Sequence, residues 1–283
     1  MAIILDGKKT SKKIKESIKN EISSIVQKDY RAPSLAVVLV GDNQASEIYV
    51  NRKKKTSEYI GIDSKVLKYS SDISEEKLLN IIDSLNKDKN IDGILVQLPL
   101  PAHINNINII NSILPDKDVD GFHPFNAGSN IIGHNCFVPC TPLGIIKLLD
   151  EYNINISGMN AVILGRSNIV GKPLIPLLLR KDATVTICHS KTKNIKELCS
   201  NADLLISAIG KGHFVSQEYV KDGAVVVDVG ISRDNKKVVG DVDFESVKNK
   251  ASYITPVPGG VGPMTIAMLM YNTLKAFKMH NNL

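Results

Sequence analysis

The segment Ala161–Pro173 reads AVILGRSNIVGKP. Its apolar residues Ala161–Leu164 run into Gly165, and Gly171 opens an apolar stretch with helical spacing. That is the pattern of a strand, a tight turn and a helix N-terminus, the junction where nucleotide phosphates are held. The first N–H groups of a helix lack intrahelical partners and carry partial positive charge, so an anion satisfies them. Ser167 replaces the second glycine of the dinucleotide fingerprint, and the last glycine falls one residue late. The next strand-like segment, ATVTICHS (Ala183–Ser190), ends at His189, Ser190 and Lys191, with no carboxylate among them. An acidic residue there would bind the ribose 2′-hydroxyl of NAD, whereas hydroxyl and cationic groups accept a 2′-phosphate. Arg166, inside the turn, can reach the same phosphate with its planar fork of donors. The segment therefore predicts NADP.

Outward from this turn, helix-like and strand-like segments alternate. Ile14, Ile18, Ile22, Ile25 and Val26 form a helical stripe within residues 8–28. Leu35–Gly41 is almost continuously apolar, as expected of a strand buried on both faces. Ser46–Ile60 and Glu75–Leu85 read as helices, and Lys65–Tyr69 and Ile94–Gln97 as strands, the last stopped by Pro99 and Pro101. Turn formers crowd Asp116–Asn130, which marks the exit from a first domain, and Leu143–Asp150 begins again as a helix. Further strands are predicted near 161–164, 183–187, 204–207 and 224–229. The alternation predicts a two-domain α/β protein with helix-covered parallel sheets. The expected division is an N-terminal α/β domain over 1–138, a Rossmann-like parallel-sheet domain over 139–262, and a helical segment 263–283 that packs back on the first. Ligands are expected beyond the carboxyl ends of the strands, between the two units.

Bulk composition narrows the partners. The 283 residues are 43% hydrophobic and 23% charged, with a formal charge of +6, as in a soluble enzyme or binding protein. Lysines are scattered among acids, aromatics are scarce and tryptophan is absent, which argues against nucleic acid and suits small anionic ligands. Cys136 and Cys140 have no second pair or histidine cluster to complete a zinc site, so no metal is expected and the four cysteines read as reduced and structural. The N-terminus lacks a leading basic region and a long apolar stretch, and no apolar run spans a bilayer. A cytoplasmic protein without membrane partners is expected.

Several residues can carry chemistry. Tyr49 and Lys53 are four apart and share a helix face, where a phenol and partial burial can favour the neutral amine that takes a proton. Short-chain dehydrogenases use a Tyr-x-x-x-Lys pair too, but after the nucleotide turn, whereas this pair precedes it. Gln97, where a strand meets two prolines, can donate to one ligand group and accept from another. Asp118 reads as turn chemistry. Asp120 can accept from the amino and ring N–H groups of a heterocycle. In PVPGGVGPM, Gly259, Gly260 and Gly262 expose backbone N–H groups between prolines that stiffen the loop, which predicts a ligand-contacting segment.

Taken together, the Tyr49–Lys53 helix, VQLPLP (96–101), DVDGF (118–122), PCTP (139–142), GRSNIVGKP (165–173), CHSKT (188–192), DVGI (228–231) and PVPGGVGPMT (256–265) closely resemble the bifunctional methylenetetrahydrofolate dehydrogenase/cyclohydrolase family, over nearly the whole chain. The resemblance implies a catalytic, folate-binding first domain, NADP, a reduced folate with or without a polyglutamate tail, and a homodimer. It implies oxidation of 5,10-methylenetetrahydrofolate to the methenyl cation and hydrolysis of that cation to 10-formyltetrahydrofolate. By the same resemblance Lys53 is the proton acceptor, Tyr49 and Gln97 tune or orient it, and Asp120 anchors the pterin. Ser46, Tyr49 and the loop Pro258, Gly259, Gly260, Val261 and Gly262 contact the folate. Gly165, Arg166, Ser167, Ser190 and Ile231 contact the cofactor. One departure is Ser129, which stands where many relatives carry arginine.

Overall fold

The computed structural model describes residues 1–234 and 237–283. In chain order the elements are β1 (Ile3–Ile4), α1 (Gly7–Val26), β2 (Ser34–Val40), α2 (Gln44–Ile60), β3 (Asp63–Tyr69), α3 (Glu75–Lys87), β4 (Gly93–Val96), α4 (Asn106–Ser112), α5 (Pro124–Ile132) and α6 (Cys140–Glu151). They continue as β5 (Asn160–Leu164), α7 (Gly171–Leu179), β6 (Thr184–Cys188), α8 (Ile195–Ser200), β7 (Leu204–Ser207), β8 (Val225–Asp228), β9 (Ser232–Asp234), β10 (Lys237–Val239), α9 (Phe244–Val247), β11 (Tyr253–Ile254) and α10 (Val261–His280). Two compact units form: Met1–Lys12, Ile131–Gly133 and Pro139–Thr265 in one, and Lys13–Asn130, His134–Val138 and Ile266–Leu283 in the other. The first twelve residues thus fall outside the division expected at 138, because β1 adds in parallel to β11.

In the unit built on residues 13–130, the sheet order is β3-β2-β4, all parallel. β2 is central and every one of its residues is buried, which is why LAVVLVG carries no polar alternation. Asn43 and Ser74 cap α2 and α3 by accepting from the N–H groups of Ser46 and Lys77. The last helix, α10, is tied to this unit from Ile266 onward. Asn272 Nδ2 donates to Val119 O at 2.8 Å, and His280 Nδ1 lies 3.3 Å from Asp92 Oδ1. The Asp92 carboxylate also accepts from Arg31 at 2.7 and 2.8 Å, and this pairing and the Ser34 N–H hold its carboxyl below the usual range although burial opposes it.

The other unit carries a six-stranded parallel sheet in the order β1-β11-β8-β7-β5-β6. β6 lies on one side of β5 and β7 on the other, so the winding reverses at β5. Its core is formed by Val162, Leu164, Leu205, Val226 and Ile254 among others.

Asp116–Asn130 differs from the expected run of turns, since α5 occupies its second half. Pro124 stands at the first helical position, where its missing N–H costs nothing. Asn126, a poor helix former, is 2% exposed and acts as a buried hub. Its Nδ2 donates to Pro115 O and Asp118 Oδ2, both at 2.9 Å, and its Oδ1 accepts from Phe137 N–H at 3.2 Å. Tertiary hydrogen bonding overrides propensity here. Ser129 is buried on the same helix.

Asn126→Ala should lower the unfolding free energy by about 2–4 kcal/mol, because it strands buried partners. Urea unfolding measures this; a loss below about 0.5 kcal/mol would contradict the hub.

Candidate active site

Two expected site residues, Lys53 and Gln97, meet at the carboxyl end of the three-stranded sheet. β4 runs into Gln97, whose N–H still bonds Val38 O at 2.9 Å. Its side chain is thereby held beside α2, and Lys53 Nζ donates to Gln97 Oε1 at 2.9 Å. The Gln97 Nε2 donates to Leu98 O at 2.8 Å, which fixes the orientation of the amide. Tyr49 sits one helical turn before Lys53 and is 38% exposed, while Ser46, in the first turn, is buried. The segment leading to Asp120 lies alongside β4, with a parallel bridge between Ile94 and Asp118. Asp118 itself is turn chemistry, as its position suggested: it accepts from Gly121 and His123 N–H at 3.1 and 2.8 Å. Burial pushes its carboxyl up, against those donors. Asp120 follows, half-buried, at the sheet's end.

In the other unit, Gly165 ends β5 with φ +112°, a conformation that excludes side chains, and a Cβ there would stand 2.3 Å from Ala208 O. A Cβ on Gly171 would stand 2.0 Å from Gly165 O, so both glycines are needed for α7 to start against the strand end. Ser167 stands in the place of a glycine, and its hydroxyl ties the turn ahead of α7 by accepting from Val170 N–H at 3.2 Å. Arg166, Ser167 and Ser190 are exposed, as is Ile231. Thr192 Oγ1 accepts from His189 N–H at 2.9 Å, shaping the turn that carries Ser190. Among the described residues no cysteine is in a disulfide, and burial pushes the Cys199 thiol up to about 12, keeping it protonated.

The 258–262 loop owes part of its glycine content to packing. Gly7 and Gly260 meet so closely that a Cβ on Gly7 would lie 1.8 Å from Gly260 O. Beside Gly262 there is open space, and Val261 is buried at the start of α10.

Sequence reasoning missed Asp228, the last residue of β8. It is 3% exposed and accepts from Gly230, Asp241 and Val242 N–H at 2.8–2.9 Å. The glycine two residues on, in DVG, was the available signal: it marks a backbone that turns back onto the carboxylate.

A parallel sheet that reverses its winding beside a glycine turn defines a dinucleotide-binding α/β protein. Within that class, residues 5–120 match the model described as tetrahydrofolate dehydrogenase/cyclohydrolase, catalytic domain, and residues 139–281 match the corresponding NAD(P)-binding domain. The chain belongs to the tetrahydrofolate dehydrogenase/cyclohydrolase family. It is 56% identical to the bifunctional protein FolD of Aquifex aeolicus over 98% of this chain and 96% of that one. A solved FolD, methylenetetrahydrofolate dehydrogenase/cyclohydrolase, from Campylobacter jejuni superposes with TM-score 0.97 at 51% identity, covering both chains fully. The Trypanosoma brucei methylenetetrahydrofolate dehydrogenase-cyclohydrolase, solved with NADP and an inhibitor, gives TM-score 0.94 at 36% identity, over 100% of this chain and 99% of that one.

Burial, reinforced by the Asp241 carboxylate and opposed by the N–H donors, pushes the Asp228 carboxyl up from 3.8 to about 6. Between those values the folded chain holds a proton that the unfolded chain has released, so this group's contribution falls as pH rises through the window. The unfolding free energy of the wild type minus that of Asp228→Asn should therefore drop by about 2 kcal/mol from pH 4 to pH 7. A pH-independent difference in denaturant titrations would contradict the assignment.

Proposed function

We propose that this protein oxidises 5,10-methylenetetrahydrofolate to 5,10-methenyltetrahydrofolate with NADP, then hydrolyses that cation to 10-formyltetrahydrofolate, two steps of one-carbon metabolism. Support comes from the match of both units to one family and from relatives named as bifunctional. The observation that carries the proposal is the 2.9 Å bond between Lys53 Nζ and Gln97 Oε1. Hydrolysis needs a proton acceptor held in place, and an ordinary surface lysine is not held.

The donor set of the nucleotide-binding unit suits NADP. Arg166 and Ser190 are exposed and the 189–192 turn has no carboxylate, which favours a 2′-phosphate over a free 2′-hydroxyl. Gly165 and Ser167 would line the pyrophosphate, and the backbone of Ile231 the nicotinamide side. When bound, the cofactor supplies the hydride acceptor.

The chain's own residues position the folate and move protons. Asp120 accepts from the amino and ring N–H groups of the pterin. Ser46, Tyr49 and Pro258–Gly262 contact the rest of the folate, whose tail carries one or several glutamates. Gln97 holds the Lys53 amine through its amide oxygen, and Tyr49, one helical turn away, helps to orient it. As water adds to the methenyl carbon, the new C–O bond forms and Lys53 Nζ takes the released proton. The adduct's hydroxyl then loses its proton as its oxygen forms the formyl C=O, and the ring C–N bond breaks with its electron pair going to the nitrogen. The nitrogen takes up that proton, so that the formyl product results and the one net proton is the one Lys53 took. The proposal includes a homodimer and a cytoplasmic location. Among the described residues no helix is long and apolar enough to cross a membrane.

Lys53→Met should slow methenyl hydrolysis by about 100-fold or more while NADPH still binds; unchanged hydrolysis would overturn the role of Lys53. Arg166→Ala should raise KM for NADP by about tenfold and leave KM for NAD nearly unchanged. Equal changes with both cofactors in steady-state assays would contradict recognition of the 2′-phosphate.

A further inference from the structure

Two buried carboxylates that the proposed chemistry does not use tie together the rim of the nucleotide-binding unit. Asp241 is 0% exposed. Its Oδ1 accepts from Lys211 N–H at 2.7 Å, and its Oδ2 from Ile209 N–H at 2.8 Å and the Ser207 hydroxyl at 3.0 Å. The loop it pins begins at Ala208, whose carbonyl packs against Gly165 of the phosphate turn. Asp228 holds the neighbouring loop through Gly230 N–H and bonds the backbone N–H of Asp241, both at 2.9 Å. Each carboxylate enters where a side chain is missing. A Cβ on Gly230 would lie 2.1 Å from Asp241 Oδ1, and one on Gly240 would lie 1.9 Å from Asp228 Oδ2.

Placing two acids side by side in the interior is costly, because desolvation and like charge act together. Neutral amides would make an ordinary turn without that penalty. The gain lies in the strength of charged acceptors, which grip backbone N–H groups more tightly than amides do. The loops gripped are 208–211, against the phosphate turn, and 229–231, which ends at Ile231.

We propose that Asp228 and Asp241 are positioning residues for the cofactor, setting the spacing of the 208–211 and 229–231 loops and thereby the seat of the nicotinamide half. This rests on the reading that the unit binds NADP. Arg166 and Ser190, which would hold the adenosine half, lie outside the 208–211 and 229–231 loops.

NADPH fluorescence, excited at wavelengths where protein side chains do not absorb, gives a direct binding signal. Asp241→Asn keeps the size of the side chain but turns an NH2 group toward one of the backbone N–H donors. NADPH should bind about tenfold more weakly to this variant. Adenosine 2′,5′-bisphosphate, which lacks the nicotinamide half, should compete for the site as well as in the wild type. Hydrolysis of added methenyltetrahydrofolate should stay within about twofold, because Lys53, Tyr49 and Gln97, which move and hold the proton in that step, belong to the other unit. If Asp241→Asn does not fold, Ser207→Ala removes one donor from the same carboxylate, and about threefold weaker NADPH binding is expected. Unchanged NADPH binding in the folded variant, or equal weakening of NADPH and the bisphosphate, would overturn the positioning role. A wild type that binds no NADPH would instead overturn the reading on which it rests.

Discussion

A parallel sheet delivers the carboxyl ends of all its strands to one side, and the six-stranded and three-stranded sheets of this protein are both parallel; only the β9–β10 hairpin among the described residues pairs antiparallel. Everything chemical in the chain follows from that constraint. In the larger sheet it brings Gly165, Ala208 and Asp228 to one rim. In the smaller it brings Gln97 to the end of β4, within 2.9 Å of Lys53. Loops leaving such a rim must pass close to one another, which is why Gly165 and Gly171 leave no room for a Cβ.

The polar groups that the fold buries near these rims are held by hydrogen bonds rather than tolerated. Asn126 bonds three partners and draws Asp118 into its turn. Asp92 is gripped by Arg31 and approached by His280 from the last helix. Losing one partner of such a group costs more than the bond itself, because the other is left buried and unpaired. These groups therefore fix loop positions that apolar packing would leave free.

Much of this was legible in the sequence, for physical reasons. β2, β5 and β7 are buried on both faces, so their apolar runs stand out. The Lys53 face of α2 follows from helical spacing, and Gln97 from the prolines that stop its strand. Two-residue strands such as β1 and β11 exist only through distant partners and carry no local pattern. Helix α5 was hidden because its turn-forming residues are stabilised by bonds to Pro115 and Phe137. Asp228 and Asp241 looked like ordinary acids; only the fold aims the N–H groups of neighbouring loops at them.

The most direct measurement mixes the purified protein with 5,10-methylenetetrahydrofolate and either NADP or NAD, following reduced nicotinamide and methenyl absorbance separately. The expected result is faster reduction with NADP, followed by methenyl decay well above the protein-free rate. Methenyl product that accumulates and decays only at the protein-free rate would contradict the hydrolytic step, and no reduction with either cofactor would contradict the enzyme.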